Sequence, residues 1–243
     1  MSRVDIVGFG PGAYECMTLE AKKALEECDY IVGFSTYTKL LREYFPDKAY
    51  IENGMGGEVE RTNEALSLAS GGKHVCLVCS GDSSVYGMAG LCYELGVNFP
   101  EVEINTIAGV TAALSGSALL GAAAGNDICL ISLSDYHTTW EEIERRLKAC
   151  AECDFVIALY NPRSKKRPDG LKKACDILLE VLEENRICGV AENIGRPGEN
   201  SRVLSLKELR DYEANMFSTV FIGNSKTVEI GGRMVTPRGY KIG

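Results

Sequence analysis

The stretch His74-Val-Cys-Leu-Val-Cys79, followed by Ser80-Gly-Asp-Ser-Ser-Val-Tyr-Gly-Met-Ala-Gly90, decides the fold class. The apolar run reads as a strand that delivers its carboxyl end into a Gly-Asp-Ser-Ser loop, with a small-residue helix start behind it. In an open α/β sheet, ligands bind outside the carboxyl ends of the strands. Gly81 lets a backbone come close to a ligand, and Asp82 and the serines supply hydrogen-bonding groups. A small-molecule enzyme fits such a loop better than a scaffold does.

Outward from this stretch, strand-like runs recur at 4–7, 30–32, 102–105, 128–132, 155–160, 187–191 and 219–222. Helical patterns lie between most of them, at 18–27, 59–69, 140–149 and 171–182. The last has apolar residues at 171, 174, 175, 178, 179 and 182, a stripe of helical period. Strands alternating with helices mean an α/β protein. The run Ala112–Gly125 (AALSGSALLGAAAG) allows close packing, and we place a domain boundary near it, giving domains 1–114 and 115–243. The tail 231–243, with three basic residues, is expected to be loosely ordered.

The 243 residues suffice for one large or two smaller cores, and 45% hydrophobic with 25% charged residues is ordinary globular composition. A net charge of −8 disfavours nonspecific nucleic-acid binding, which needs a basic footprint. No run of apolar residues is long enough to cross a membrane, and the amino terminus enters a strand at once, so a cytoplasmic protein is expected. Ten cysteines include the pairs Cys76/Cys79 and Cys150/Cys153. Cys76 and Cys79 fall within a strand, at a spacing that points them to opposite faces. With only His74 and His137 as histidine partners, small buried thiols in a reducing compartment are the expectation and no metal site is assigned.

A second glycine loop, Val7-Gly-Phe-Gly-Pro-Gly12 with Ala13, ends the first strand and formally matches the dinucleotide fingerprint. That site wants an acid at the end of the second strand, and Tyr30-Ile-Val-Gly-Phe34 supplies none. Pro11 removes one N–H from the would-be phosphate cradle. The following helix starts only at Thr18, a plausible N-cap.

Taken in order, VGFGPG (7–12), SGDSSVYG (80–87), IAGVTAA (107–113), ISLSD (131–135) and ALYNPRSKKR (158–167) resemble the tetrapyrrole methyltransferases of cobalamin and sirohaem synthesis. The last two motifs look most like the members that methylate C17 of a precorrin-3-type ring with ring contraction. The resemblance covers nearly the whole chain and implies a two-domain α/β fold (class III) with S-adenosylmethionine in the cleft between the domains. It also implies a homodimer and a polycarboxylate tetrapyrrole substrate. On this likeness Gly10, Pro11, Ser80, Gly81, Asp82, Val85, Tyr86, Thr111, Ala112, Tyr160 and Asn161 are expected around the cofactor. The family loop usually reads Gly-Asp-Pro; here Ser83 replaces the proline, giving a less rigid turn.

Methyl transfer from a sulfonium is an in-line displacement that needs positioning more than a nucleophilic side chain. Ring contraction adds a need for a general base and a donor near the developing carbonyl. The candidates are Asp135, Tyr136, His137 and Glu192. A polycarboxylate arriving on an acidic protein needs local positive charge. The run 161–167 is the obvious place, with Arg163, Ser164 and Arg167 as substrate contacts and Arg196 and Arg202 further along. Methylation at carbon C11 or C20 is the nearest rival. A nicotinamide oxidoreductase and a noncatalytic binding subunit are the readings of other classes.

Overall fold

The run His74–Cys79 is apolar throughout because both of its faces are covered. A computed structural model describes residues 2–164 and 167–241; Lys165 and Lys166 of the basic run, and the last two residues of the tail, lie outside the described residues. The chain divides into two compact units, Met1–Thr111 and Ala112–Gly243.

The first unit runs β1 (Arg3–Gly8), α1 (Leu19–Glu27), β2 (Tyr30–Phe34), α2 (Ser35–Tyr44), β3 (Ala49–Asn53), α3 (Glu58–Ser70), β4 (His74–Cys79), α4 (Ala89–Gly96) and β5 (Glu103–Ile107). All five strands are parallel, in the order β3-β2-β4-β1-β5. Alternation along β4 sends Val75, Leu77 and Cys79, with Val4 and Ile6, against α3 and α4. Cys76 and Val78, with Val7, Phe9 and Ile107, face α1 and α2. The two cysteines of the C-x-x-C pair thus lie on opposite faces of one sheet. Burial pushes the Cys79 thiol up to about 12 and that of Cys92 up to about 11, so both behave as small hydrophobes. Cys16 and Cys153 are exposed. Thr18 caps α1, its hydroxyl accepting from Ala21 N at 3.1 Å.

The second unit runs α5 (Ala112–Leu120), β6 (Gly121–Ala122), β7 (Ile128–Ser132), α6 (Trp140–Glu152), β8 (Val156–Tyr160), α7 (Gly170–Leu178), β9 (Ile187–Glu192), β10 (Asn200–Ser205), α8 (Leu206–Arg210), β11 (Ser218–Ile222), β12 (Val228–Ile230) and β13 (Arg233–Val235). Its main sheet is mixed, in the order β10-β9-β11-β8-β7. β7 and β8 are parallel, and β11 runs antiparallel to both β8 and β9, so β7, β8 and β9 end at one edge. Helices α6, α7 and α8 cover one face through Ile143, Leu147, Leu178 and Leu209. Helix α5 covers the other, with Ala113 and Leu120 against Ala158, Ala191 and Phe221.

The small-residue run now has a steric cause. A Cβ on Gly116 would sit 3.0 Å from the Phe221 ring, and one on Gly189 would sit 2.7 Å from Leu120. Glycine at both positions lets α5 lie directly on β9 and β11. The tail is better ordered than its composition implied: Arg233–Val235 pairs with β12 and β6, and Met234 is fully buried. Helix α7 ends at Leu178, and the expected continuation to residue 182 is a turn.

One charge is buried inside the first sheet. Asp5 is fully buried; its Oδ1 accepts from Arg3 Nε at 2.7 Å and Asn105 Nδ2 at 3.2 Å, while Oδ2 lies 2.7 Å from His74 Nε2. The register dictates this, since Asp5 faces Asn105 on β5 and Arg3 faces His74 on β4. Removing the carboxylate strands its partners, so Asp5→Ala is predicted to lower stability by about 3 kcal/mol. Urea midpoints with an unchanged m value check this; a shift typical of a surface substitution would show the network to be idle.

Candidate functional site

Three loops meet at the carboxyl edge of the first sheet, following β1, β4 and β5. Gly10 N donates to Gly81 O at 3.0 Å, and Gly81 N donates to Gly10 O at 2.7 Å. Both glycines have left-handed backbones, with φ of +77° and +74°. A Cβ on Gly109 would lie 2.1 Å from Gly81 O and 2.3 Å from Gly8 O. Backbone therefore packs on backbone with no side chain between, and the glycines are required by one another.

Asp82 closes the arrangement. Its Oδ1 accepts from Ser84 N at 2.8 Å and Val85 N at 3.0 Å; its Oδ2 accepts from Gly109 N at 2.9 Å. Burial works against the ionised carboxyl, but the hydrogen bonds from Gly109, Ser84 and Val85 outweigh it and hold the pKa below the usual value. One carboxylate thus ties the β4 loop to the β5 loop. Ser83, where the family motif has proline, is fully buried and donates from Oγ to Ile107 O at 2.8 Å. A hydrogen bond to the end of β5 steadies the turn instead of a ring. Pro11 is buried, Ser80 and Val85 are half-buried, and Tyr86 stands exposed with φ of +54°. Thr111, the last residue of this unit, is buried. The loops 7–13, 80–90 and 107–113 contain no lysine, arginine or histidine.

In the second unit the candidates gather at the shared carboxyl edge of β7, β8 and β9. Tyr160 ends β8, and its hydroxyl accepts from Ala113 N at 2.8 Å, next to Ala112 in the first turn of α5. Asn161, with φ of +54°, donates from Nδ2 to Ser132 Oγ at 2.9 Å and so joins the β7 and β8 loops. Asp135, Tyr136 and His137 are exposed after β7, the last two with rings edge-on at 4.6 Å. Asp135 pairs with Arg167 at 3.3 Å, and Arg167 Nη1 also donates to Leu133 O at 3.3 Å. The backbones of Ser164 and Arg167 exchange hydrogen bonds of 3.1 and 3.0 Å. Arg163 is half-buried, Arg196 lies 4.9 Å from the Phe217 ring, and Arg202 is exposed on β10.

Glu192, at the end of β9, is differently placed. Its Oε1 accepts from Ser218 Oγ at 2.7 Å and Asn215 Nδ2 at 3.1 Å, and its Oε2 accepts from Tyr212 OH at 3.1 Å. Burial, then the adjacent carboxylate, raises the Tyr212 pKa. Three donors on one carboxylate fix the α8–β11 connection to β9. Ser132 and the Tyr212, Asn215 and Ser218 donors escaped the sequence reading. Only Ser132 left a signal, lying inside the ISLSD motif (131–135); the register then sets it opposite Tyr160. Asp5, His74 and Cys76 bring three metal-ligating atoms within 4.8 Å of one another. They lie at the amino ends of the strands, away from the loops, and Arg3, Asn105 and His74 already engage the Asp5 oxygens.

Two substitutions probe the loop junction. Asp82→Asn is predicted to cost about 1–3 kcal/mol at pH 7 through the lost charge-assisted bonds. Because the folded-state pKa of Asp82 is depressed, its contribution is complete above the unfolded value of 3.8 and fades as pH falls through the folded value. The gap between parent and variant in urea midpoint should therefore narrow as pH falls below 3.8, and a gap independent of pH would show that the charge is not involved. Gly109→Ala should destabilise by a further margin of about 1–3 kcal/mol by overpacking.

Comparison with known proteins places the chain. The family model for tetrapyrrole (corrin/porphyrin) methylases matches residues 3–210. A probable cobalt-factor III C(17)-methyltransferase of Salmonella typhimurium is 41% identical over 240 residues, covering 98% of this chain and 100% of the relative. The cobalt-factor III methyltransferase of Priestia megaterium is 40% identical over 241 residues, which make up 97% of this chain; the chain spans only 45% of that longer relative. Among solved structures, the methyltransferase CobJ superposes with a TM-score of 0.87 at 35% identity, over 96% of this chain and 99% of that one. A uroporphyrin-III C-methyl transferase from Thermus thermophilus, complexed with S-adenosyl homocysteine, shares the fold with a TM-score of 0.72 at 18% identity, over 91% of this chain and 97% of that one. The chain belongs to the tetrapyrrole (corrin/porphyrin) methylases.

Proposed function

We propose that the protein transfers a methyl group from S-adenosylmethionine to C17 of a precorrin-3-type tetrapyrrole, with contraction of the ring, in corrin synthesis. The observation that carries this reading is the 41% identity that runs the full length of a relative whose name specifies that position.

The residues present suit the methyl donor. The junction of the three loops offers bare backbone at Gly10, Gly81 and Gly109, hydroxyls at Ser80 and Ser84, and no cationic side chain. That chemistry matches a nucleoside carrying an amino acid better than a dinucleotide, whose pyrophosphate gains from cations and helix N-termini. The strand order also departs from the dinucleotide pattern, because β4 separates β1 from β2. Gly10, Pro11, Ser80, Gly81, Asp82, Val85, Tyr86 and Thr111 are the proposed contacts in the first unit, and Ala112, Tyr160 and Asn161 those in the second. Asp82 acts there mainly as a clasp, since its oxygens already hold three amides. S-adenosylmethionine supplies an electrophilic methyl group on a cationic sulfonium. The chain supplies orientation, exclusion of water and a base for ring contraction.

For that base the geometry favours His137. Glu192 is engaged by three donors and Asp135 is held by Arg167, whereas the His137 ring is exposed beside Tyr136. The enzyme is read as a homodimer working in a reducing cytoplasm, which suits ten free cysteines.

Mass spectrometry of the product formed from precorrin-3B or cobalt-precorrin-3 tests the activity. One added methyl on a contracted ring is expected; a methylated but uncontracted ring, or no methyl at all, would overturn it. His137→Ala is predicted to slow single turnover by about 100-fold or more, and an undiminished rate would remove His137 from the chemistry.

A further inference from the structure

We propose that Asp135 is an anion gate on Arg167: it holds the guanidinium in the free protein, and a carboxylate of the tetrapyrrole takes its place. The inference rests on the substrate class proposed above and gives Asp135 a positioning role instead of a catalytic one.

The geometry of Arg167 carries it. The side chain has two kinds of support. One is Asp135, 3.3 Å from Nε. The other is fixed scaffold: Nη1 donates to Leu133 O at 3.3 Å, and the Arg167 backbone is locked to Ser164 by hydrogen bonds in both directions. Departure of Asp135 therefore leaves the guanidinium aimed by Leu133 and Ser164. Ser132 and Asn161, bonded at 2.9 Å, hold together the two loops that carry the pair. Both loops follow carboxyl ends of parallel strands, the usual place for a ligand.

The pair is built to exchange. Asp135 is 46% exposed and Arg167 29% exposed, and ion pairs this open to water are weak. A guanidinium prefers a bidentate carboxylate, which a propionate or acetate arm can provide. The chain carries a net charge of −8, so a polyanion approaches against repulsion and needs a cation whose internal partner it can displace. Neutralising that cation with a weak internal carboxylate sets a threshold. A small monoanion must displace Asp135 alone, whereas a ring with several carboxylates is held elsewhere and competes at high effective concentration.

The alternative roles of Asp135 differ in their readout. Fluorescence titration with uroporphyrin, a polycarboxylate tetrapyrrole, measures affinity without turnover, and calorimetry with S-adenosylhomocysteine runs alongside on the same proteins. Asp135→Asn is expected to tighten uroporphyrin binding about 5-fold. Arg167→Gln is expected to weaken it about 10-fold or more. In the double variant the gain from Asp135→Asn should vanish, because nothing is left to release. Weaker binding in Asp135→Asn would make Asp135 a support for Arg167 and overturn the gate. An unchanged uroporphyrin affinity with a collapsed single-turnover rate would make it a base, and also overturn it. If the parent protein binds S-adenosylhomocysteine but no tetrapyrrole, the proposed substrate class fails first and the gate falls with it.

Discussion

The Asp82 carboxylate and the glycine contacts around it are the constraint on which the first unit depends. Three parallel strands, β4, β1 and β5, lie side by side, and their exits must pass one another within backbone contact. That approach is open only to residues without a Cβ at Gly8 and Gly109, and it leaves amides of the β4 and β5 loops pointing inward. Asp82 accepts from three of them at once. The acid is stabilised by the amides and the amides are satisfied by the acid. A floor made of backbone follows, with no cation in it. Such a floor suits a ligand recognised through hydroxyls, an amino-acid moiety and a base more than one recognised through phosphate.

The second unit meets a different demand. On the proposed function an acidic chain has to receive a polyanion, and the cations at this edge already have neighbours. Arg167 is paired with Asp135, and Arg196 stacks near Phe217. Glu192 accepts from two hydroxyls and a side-chain amide, and these bonds fix one turn against β9. Within this one edge, two carboxylates that look equivalent on paper have unlike surroundings: one faces a guanidinium and the other faces hydroxyls and an amide.

Much of this was legible in the residues, and the gaps have physical causes. The run 74–79 declares itself because both faces are covered, and Thr18 announces α1 because a hydroxyl cap has a chemical signature. β3 and β10 passed unnoticed as edge strands: Ala49–Asn53 has no buried residue and Asn200–Ser205 has only Leu204, so neither carries a run of apolar residues long enough to stand out. Helix α2 follows β2 directly, with Phe34 at the cap position and no side-chain cap to mark its start. Ala112–Gly125 read correctly as a close-packing run, but its partners Phe221 and Met234 lie far along the chain. The same limit applies at the site. Sequence shows Asp82 as a hydrogen-bonding group of its own loop, yet it cannot show Gly109, 27 residues on, as a donor to it. The Ser83 departure looked like a loosened turn and proved to be a hydrogen bond to the end of β5.

The central claim is that the Asp82 clasp shapes the seat of the methyl donor. Calorimetry with S-adenosylhomocysteine on the parent and Asp82→Asn, at a temperature where both are folded, tests it most directly. The account predicts at least about a 10-fold weaker affinity in the variant, near 1.4 kcal/mol, with uroporphyrin binding retained. Equal affinity for S-adenosylhomocysteine in the two proteins would contradict it.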